Sequence, residues 1–304
     1  MGVFMFNHLV DDLYAGFSTD INYAREGRHP NEEIIMSTRF NRGTALITGA
    51  SMGIGVVYAD RLAKRGYNLI LVARSEDKLK EVATQIQSAT GRTVEAMRAD
   101  LTSPADLRGV SERIYCDDSI TALVNNAGVG SASKLIESDP NYLEQMIQLN
   151  VTALTRLALA ATSSFPGRAN GLIINIGSML ALVPELLNSA YSGTKAYVQN
   201  FSIGLRNELA DKGVTVQLIM PGVTTTAIWD KMGLPIYDLP AEWVMTTEDM
   251  VDASLASLEQ GEFPTIPSLP DFADFEAYDK ARIALRPNLS RKNPADRYGV
   301  AARV

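Results

Sequence analysis

From Thr44 onward, short apolar runs alternate with longer stretches in which apolar residues return at helical spacing. The runs at 44–48, 68–73, 93–98, 120–124, 172–176, 214–220 and 263–266 predict seven strands, with helices filling the gaps. Leu69-Ile70-Leu71-Val72 and Leu172-Ile173-Ile174 are apolar throughout rather than alternating, as strands covered on both faces should be. Repeated βα units of this kind predict an α/β fold: a Rossmann-type, doubly wound parallel sheet in a single domain. Ser103-Pro104 reads as a helix start, and Thr246 to Asp249 as a capping box with Asp in place of Glu. Residues 1–41 break any sustained period and read as an N-terminal extension, partly helical around Val10 to Tyr14. The folded domain is expected over 42–267 and a C-terminal tail over 268–304.

Composition then removes whole classes of function. With 46% hydrophobic residues in 304, the chain can bury the core of a complete enzyme, and a net charge of −7 gives little support to a nucleic-acid surface. No run reaches the roughly 20 apolar residues needed to span a bilayer, so a cytoplasmic location is expected. Cys116 stands alone, which leaves neither an internal disulfide nor a thiolate metal cluster, and no metal is expected. Both histidines, His8 and His29, fall in the extension. An acid–base catalyst built on the rest of the chain therefore has to use Tyr, Lys, Asp or Glu.

Tyr191 and Lys195 supply a candidate. At positions i and i+4 of a helix they project from one face, and a cation beside a phenol favours phenolate, lowering a pKa that starts near ~10. The glycine run Thr48-Gly49-Ala50-Ser51-Met52-Gly53-Ile54-Gly55 lies between the first strand and the first helix, where a pyrophosphate would meet the helix N-terminus. The second strand ends on Ala73, not on the acid that usually holds the ribose of NAD, and Arg74 follows. A guanidinium suits a 2′-phosphate, so NADP(H) is expected in preference to NAD(H), with Asp100 and Leu101 beyond the third strand near the adenine.

These motifs resemble those of the short-chain dehydrogenase/reductases in their compact single-domain form, in order and approximate spacing, over roughly residues 42 to 267. Thr48 to Gly55 matches the family's Thr-Gly-x-x-x-Gly-x-Gly, and Asn125-Asn126-Ala127-Gly128 its Asn-Asn-Ala-Gly. Pro221, Gly222 and Thr226 match its Pro-Gly-x-Val-x-Thr, with Thr224 in place of the usual Val. Met52 stands where some NADP(H) members carry a Lys or Arg. Asn150, Ser178, Tyr191 and Lys195 match the catalytic set. The resemblance implies that Ser178 bonds the substrate oxygen, Tyr191 exchanges the proton, Lys195 lowers the Tyr191 pKa and binds the nicotinamide ribose, and Asn150 holds a water linking Lys195 to solvent. It also implies cofactor contacts from Gly49, Ser51, Met52, Gly53, Ile54, Gly55, Asn126, Ala127, Gly128, Pro221, Gly222, Thr224 and Thr226.

The expected reaction interconverts a ketone or aldehyde and an alcohol. Three residues between Tyr191 and Lys195, rather than six, favour carbonyl over alkene reduction. The alternative is a catalytically silent NADP(H)-binding sensor or scaffold, which would be expected to have lost Ser178, Tyr191 or Lys195. Apolar residues at 179–190 and 227–245 point to an apolar or aromatic substrate, and the segment 224–245 is a candidate lid. The helices expected at 138–165 and 189–212 resemble those through which the family forms homodimers and homotetramers. Beyond the last strand, Lys280 to Val304 carries seven basic residues and one acid, Asp296, and reads as a solvated terminal segment.

Overall fold

The strand β1 (Thr44–Thr48) has every side chain buried and pairs in parallel with β2 (Asn68–Ala73) on one side and β4 (Ile120–Asn125) on the other. The computed structural model describes residues 43–168 and 171–300, so the extension, with its expected helix at Val10 to Tyr14, lies outside the described residues. With β3 (Val94–Arg98), β5 (Gly171–Ile176) and β6 (Val214–Ile219) the sheet has the order β3-β2-β1-β4-β5-β6, all parallel. The order reverses between β1 and β4, and the loops leaving those two strands therefore diverge to open a crevice.

Among the described residues six strands form rather than seven. Of the run at 263–266, only Thr265 pairs with β6: its N–H donates to the Leu218 carbonyl (2.9 Å) and its carbonyl accepts from Met220 N–H (2.8 Å). Pro264 and Pro267 flank it and have no N–H to extend a ladder.

Helices α1 (Ile54–Lys64) and α2 (Glu76–Thr90) cover one face of the sheet, where Tyr58, Leu62, Leu79 and Ile86 meet Ile47, Leu69 and Leu71. Helices α3 (Pro104–Cys116) and α5 (Leu154–Ser164) cover the other, where Leu107, Val110, Ile114 and Leu157 meet Leu46, Leu123 and Ile173. Ser103 caps α3 by accepting from Asp106 N–H, with Pro104 in the first turn. The Thr246 hydroxyl accepts from Asp249 N–H (3.0 Å) and donates to its carboxylate (2.7 Å), which starts α8 (Thr247–Gln260). Both starts follow the capping chemistry expected from the sequence.

Between α4 (Pro140–Ile147) and α5 the chain makes a π-helical segment, Gln148–Ala153, with Asn150 inside it. Helix α6 (Ser189–Glu208) carries Tyr191 and Lys195; a four-residue α7 (Ile228–Lys231) sits in the candidate lid. Residues 284–300 are exposed, as the solvated reading of the tail expects, and the chain beyond the sheet begins with α9 (Ala273–Ala284), which buries Phe275 and Asp279. Phe272, Phe275 and Tyr278 stack along it with centroids 5.7 Å apart, an i, i+3 stripe that the surrounding charge conceals in the sequence. Among the described residues, no helix is long and apolar enough to cross a membrane.

Candidate active site

The crevice at the reversal point is a cavity of ≈ 680 Å³. Its floor begins with the turn after β1. Gly49 (φ 68°) and Gly53 (φ 57°) adopt backbone that side chains disfavour, and Gly49 N–H donates to the Val72 carbonyl (2.8 Å). The turn is stitched to the loop after β4. Thr48 Oγ1 accepts from the N–H groups of Asn126 and Ala127 (both 3.0 Å), and Asn126 Nδ2 donates to the carbonyls of Thr48 (2.9 Å) and Gly49 (3.3 Å). Gly55 sits behind the turn, where a Cβ would lie 2.5 Å from the Gly49 carbonyl oxygen.

Ser178 follows β5 and is held by its neighbours: Gly177 N–H donates to Ile219 O (2.7 Å) and Met179 N–H to Pro221 O (3.0 Å). Its Oγ accepts from Leu180 N–H (3.2 Å) and favours the ionised form of the neighbouring Tyr191 phenol. Tyr191 is oriented from below by Asn188, the α6 cap, whose Oδ1 accepts from the N–H groups of Ala190 (2.9 Å) and Tyr191 (3.0 Å). Asn188 Nδ2 donates to the Ser133 carbonyl and the Ser138 hydroxyl, tying the loop after β4 to the start of this helix.

Electrostatically the site departs from the simplest expectation. Burial pushes the Tyr191 phenol up to about 12, against a lowering by the Ser178 bond and a smaller rise from Tyr142. Lys195 does not offset this: its Nζ lies 5.8 Å from the centre of the Tyr191 ring and donates to the Ile176 carbonyl (3.0 Å). Burial brings Lys195 itself down to about 8. Desolvation therefore wins over the cation in this arrangement, and the expected depression of the Tyr191 pKa is replaced by a rise.

The Asn150 side chain is likewise committed elsewhere. Its Nδ2 donates to Val129 O (2.8 Å) and Thr194 Oγ1 (3.1 Å), while its Oδ1 accepts from Val129 N–H (3.0 Å). With both amide hydrogens in use, Asn150 braces the 128–130 turn against α6.

The cavity is lined by Gly49, Ser51, Met52, Gly53, Ile54, Arg74, Asp100 and Leu101, by Asn126, Ala127 and Gly128, and by Ser178, Tyr191, Lys195, Pro221, Gly222, Thr224 and Thr226. Of the expected site residues only Gly55 and Asn150 stand behind the wall. Asp100 is partly engaged: burial pushes its carboxyl up, but bonds from the Thr102 hydroxyl and N–H more than reverse this. Thr224 keeps a strand-like bridge to Met245, and its carbonyl accepts from the Trp229 indole N–H (2.8 Å). The lid's ends are pinned together, since Met245 N–H donates to Val223 O and Thr225 N–H to Met245 O (both 2.9 Å). Its interior supplies Ile228, Trp229 and Met232 to the cavity wall.

Sequence reasoning missed four lining or supporting side chains. Lys78 lines the cavity one helical turn after Arg74, a spacing that a search for paired cations would find. Tyr142 and Gln145 line it from one face of α4, and Asn188 is recognisable as a helix cap.

Residues 43–234 match the family model for short chain dehydrogenases. The chain belongs to this family. A short-chain dehydrogenase from Sphingobium yanoikuyae, solved in complex with NADPH, is 42% identical with a TM-score of 0.82, covering 84% of this chain and 99% of that one. The bulky-bulky ketone specific alcohol dehydrogenase from Comamonas testosteroni is 38% identical with a TM-score of 0.77, covering 84% and 98%. Among curated proteins, human 17-beta-hydroxysteroid dehydrogenase type 3 is 37% identical over 60% of this chain and 60% of its own length. Very-long-chain 3-oxoacyl-CoA reductase-A of Danio rerio is 32% identical over 72% of this chain and 70% of its own. The dehydrogenase is thus an oxidoreductase acting on CH–OH or C=O groups with a nicotinamide cofactor.

Proposed function

We propose that this dehydrogenase is an NADP(H)-dependent carbonyl reductase for apolar or aromatic ketones and aldehydes, with Tyr191 as proton donor. One observation carries the reading: Ser178 and Tyr191 share a single cavity with the glycine turn, with the paired cations Arg74 and Lys78 and with an apolar wall of Met179, Leu187, Ile228 and Trp229. The residues fit a dinucleotide. The first turn of α1 has no acid and its cap, Gly53, has no side chain, so an anion meets backbone N–H groups rather than a competing carboxylate. Arg74 and Lys78, with no acid at the end of β2, suit a 2′-phosphate, which supports NADP(H) over NAD(H).

When bound, the reduced nicotinamide supplies the hydride. The protein handles the proton. Ser178 donates a hydrogen bond to the carbonyl oxygen, and Tyr191 transfers its proton to that oxygen as negative charge develops. A phenol near 12 keeps its proton at neutral pH, and an alkoxide is a stronger base than the phenolate left behind, so the arrangement favours reduction. Lys195 has two further N–H donors beyond its bond to Ile176 and would use them on the nicotinamide ribose. The names of the relatives, with bulky ketones, steroids and long acyl chains, agree with a large apolar substrate.

Leu159 is exposed on α5, and Tyr197, partly exposed, stacks on Phe201 along α6, which supports a homo-oligomer formed through these helices. A cytoplasmic location rests on composition alone.

The test is NADPH consumption with a panel of ketones and aldehydes. Tyr191→Phe should bind NADPH as before and lose turnover by about 10³-fold, within the usual range for a general acid. Wild-type turnover in that variant would show that another group donates the proton.

A further inference from the structure

Beside Ser178 and Tyr191, the cavity takes two polar side chains from α4, Tyr142 and Gln145. Gln145 is exposed at the mouth, whereas Tyr142 is half-buried and fixed in place. Its O–H donates to the Gly130 carbonyl at 2.6 Å. The other side of Gly130 is closed by the lid, since a Cβ there would overlap the Met232 sulfur. Tyr142 is therefore held between the loop after β4 and the cavity.

A phenol has one hydrogen. With that hydrogen given to Gly130, Tyr142 can act toward a ligand only as an acceptor. Burial raises its pKa, so it stays neutral, and it lines the same cavity as Tyr191. Ser178 and Tyr191 offer donors; Tyr142 offers the opposite polarity. A simple ketone satisfies the first pair and leaves the Tyr142 oxygen facing apolar substrate, a mismatch that costs affinity. A ketone that also carries a hydroxyl satisfies all three.

Resting on the carbonyl-reductase reading, we propose that Tyr142 is a substrate-positioning residue whose oxygen accepts a hydrogen bond from a hydroxyl near the reacting carbonyl, so that the enzyme selects hydroxyketones over the matching simple ketones. A site that bonds a substrate hydroxyl discriminates against the analogue without it more sharply than an apolar pocket separates two sizes.

The experiment uses the full chain with NADPH and three aryl ketones: one with an α-hydroxyl, its deoxy partner and its O-methyl ether. The wild type should favour the hydroxyketone by about tenfold in kcat/KM, chiefly through KM, and should treat the ether like the deoxy compound. Tyr142→Phe should remove the preference for the hydroxyketone, whatever it does to the rate on the deoxy ketone. Met232→Leu disturbs the opposite face of Gly130 and should leave the ratio intact whatever it does to the rate. A preference that survives Tyr142→Phe, an ether as good as the alcohol, an equal loss on all three ketones, or a ratio lost in Met232→Leu overturns the proposal. Calorimetric binding of the same ketones to the NADP⁺-loaded chain gives a readout without turnover. A binding preference abolished by Tyr142→Phe sustains the role of Tyr142 even if no ketone is reduced, which would count against the carbonyl-reductase reading alone; equal binding by both proteins overturns the proposal.

Discussion

Lys195 gives the most direct check on the electrostatics of the site. Burial brings its pKa from 10.5 to about 8, which corresponds to about 3 kcal/mol of unfavourable charge burial while the lysine is protonated. Between those two values the unfolded chain holds the proton and the folded chain releases it, so stability rises with pH. Over pH 7.5 to 9.5 the rise attributable to this group is about 2 kcal/mol. Lys195→Met keeps most of the packing and removes the titration. It also leaves the Ile176 carbonyl without its donor, a loss of about 1–2 kcal/mol that does not vary with pH. The pH slope is therefore the observable rather than the absolute stability. Tyr58, Tyr67 and Tyr191 all have raised pKa values and lower stability above about pH 10, but they do so in both proteins. Urea unfolding of the nucleotide-free chain at pH 7.5, 8.5 and 9.5, at fixed ionic strength and protein concentration, gives the two curves. They should converge or cross as the wild type gains about 2 kcal/mol on the variant. Parallel curves would mean that Lys195 titrates near its solution value and that water reaches it.

Arg74→Ala and Lys78→Ala should each weaken NADPH binding about tenfold or more and leave NADH within about twofold, measured by fluorescence titration; equal losses for both nucleotides would remove the 2′-phosphate assignment. Gly55→Ala sets a Cβ 2.5 Å from the Gly49 carbonyl oxygen and 2.8 Å from Asn126 Nδ2, so the turn has to move. We expect a loss of about 1–3 kcal/mol in unfolding free energy together with weaker NADPH binding.

What the sequence makes legible follows physical locality. The central strands β1, β2, β4 and β5 announce themselves because they are almost wholly apolar, β3 less so because Glu95 and Arg98 interrupt it, and the starts of α3 and α8 because Ser103 and Thr246 act within three residues of themselves. The residues along the glycine turn and at the strand ends are readable by motif, and all but Gly55 and Asn150 line the cavity. What the sequence hides depends on distant partners. The run at 263–266 looks like a strand until its prolines are set against the single pair of bonds that β6 can make with Thr265. The Tyr191–Lys195 spacing implies a charge effect, but only the packing shows that burial outweighs it and that Ile176 claims the lysine. Asn150 is identifiable, yet its commitment to Val129 and Thr194 comes from two other elements. Tyr142 gives no signal at all until Gly130 is found within reach of its hydroxyl.

The pinned ends of the lid have a practical consequence for protein engineering. Val223, Thr225 and Met245 bring the two ends of the segment together by backbone bonds, so residues 227–244 form a closed loop whose ends are held without its own side chains. Such a loop can be exchanged as a unit. Lengthening it is cheap, because doubling a flexible loop costs only about 0.6 kcal/mol in closure entropy. A library that replaces 227–244 with segments of other lengths and compositions would therefore vary the wall over the substrate while the sheet, Thr226 beside the glycine turn and the start of α6 stay as they are.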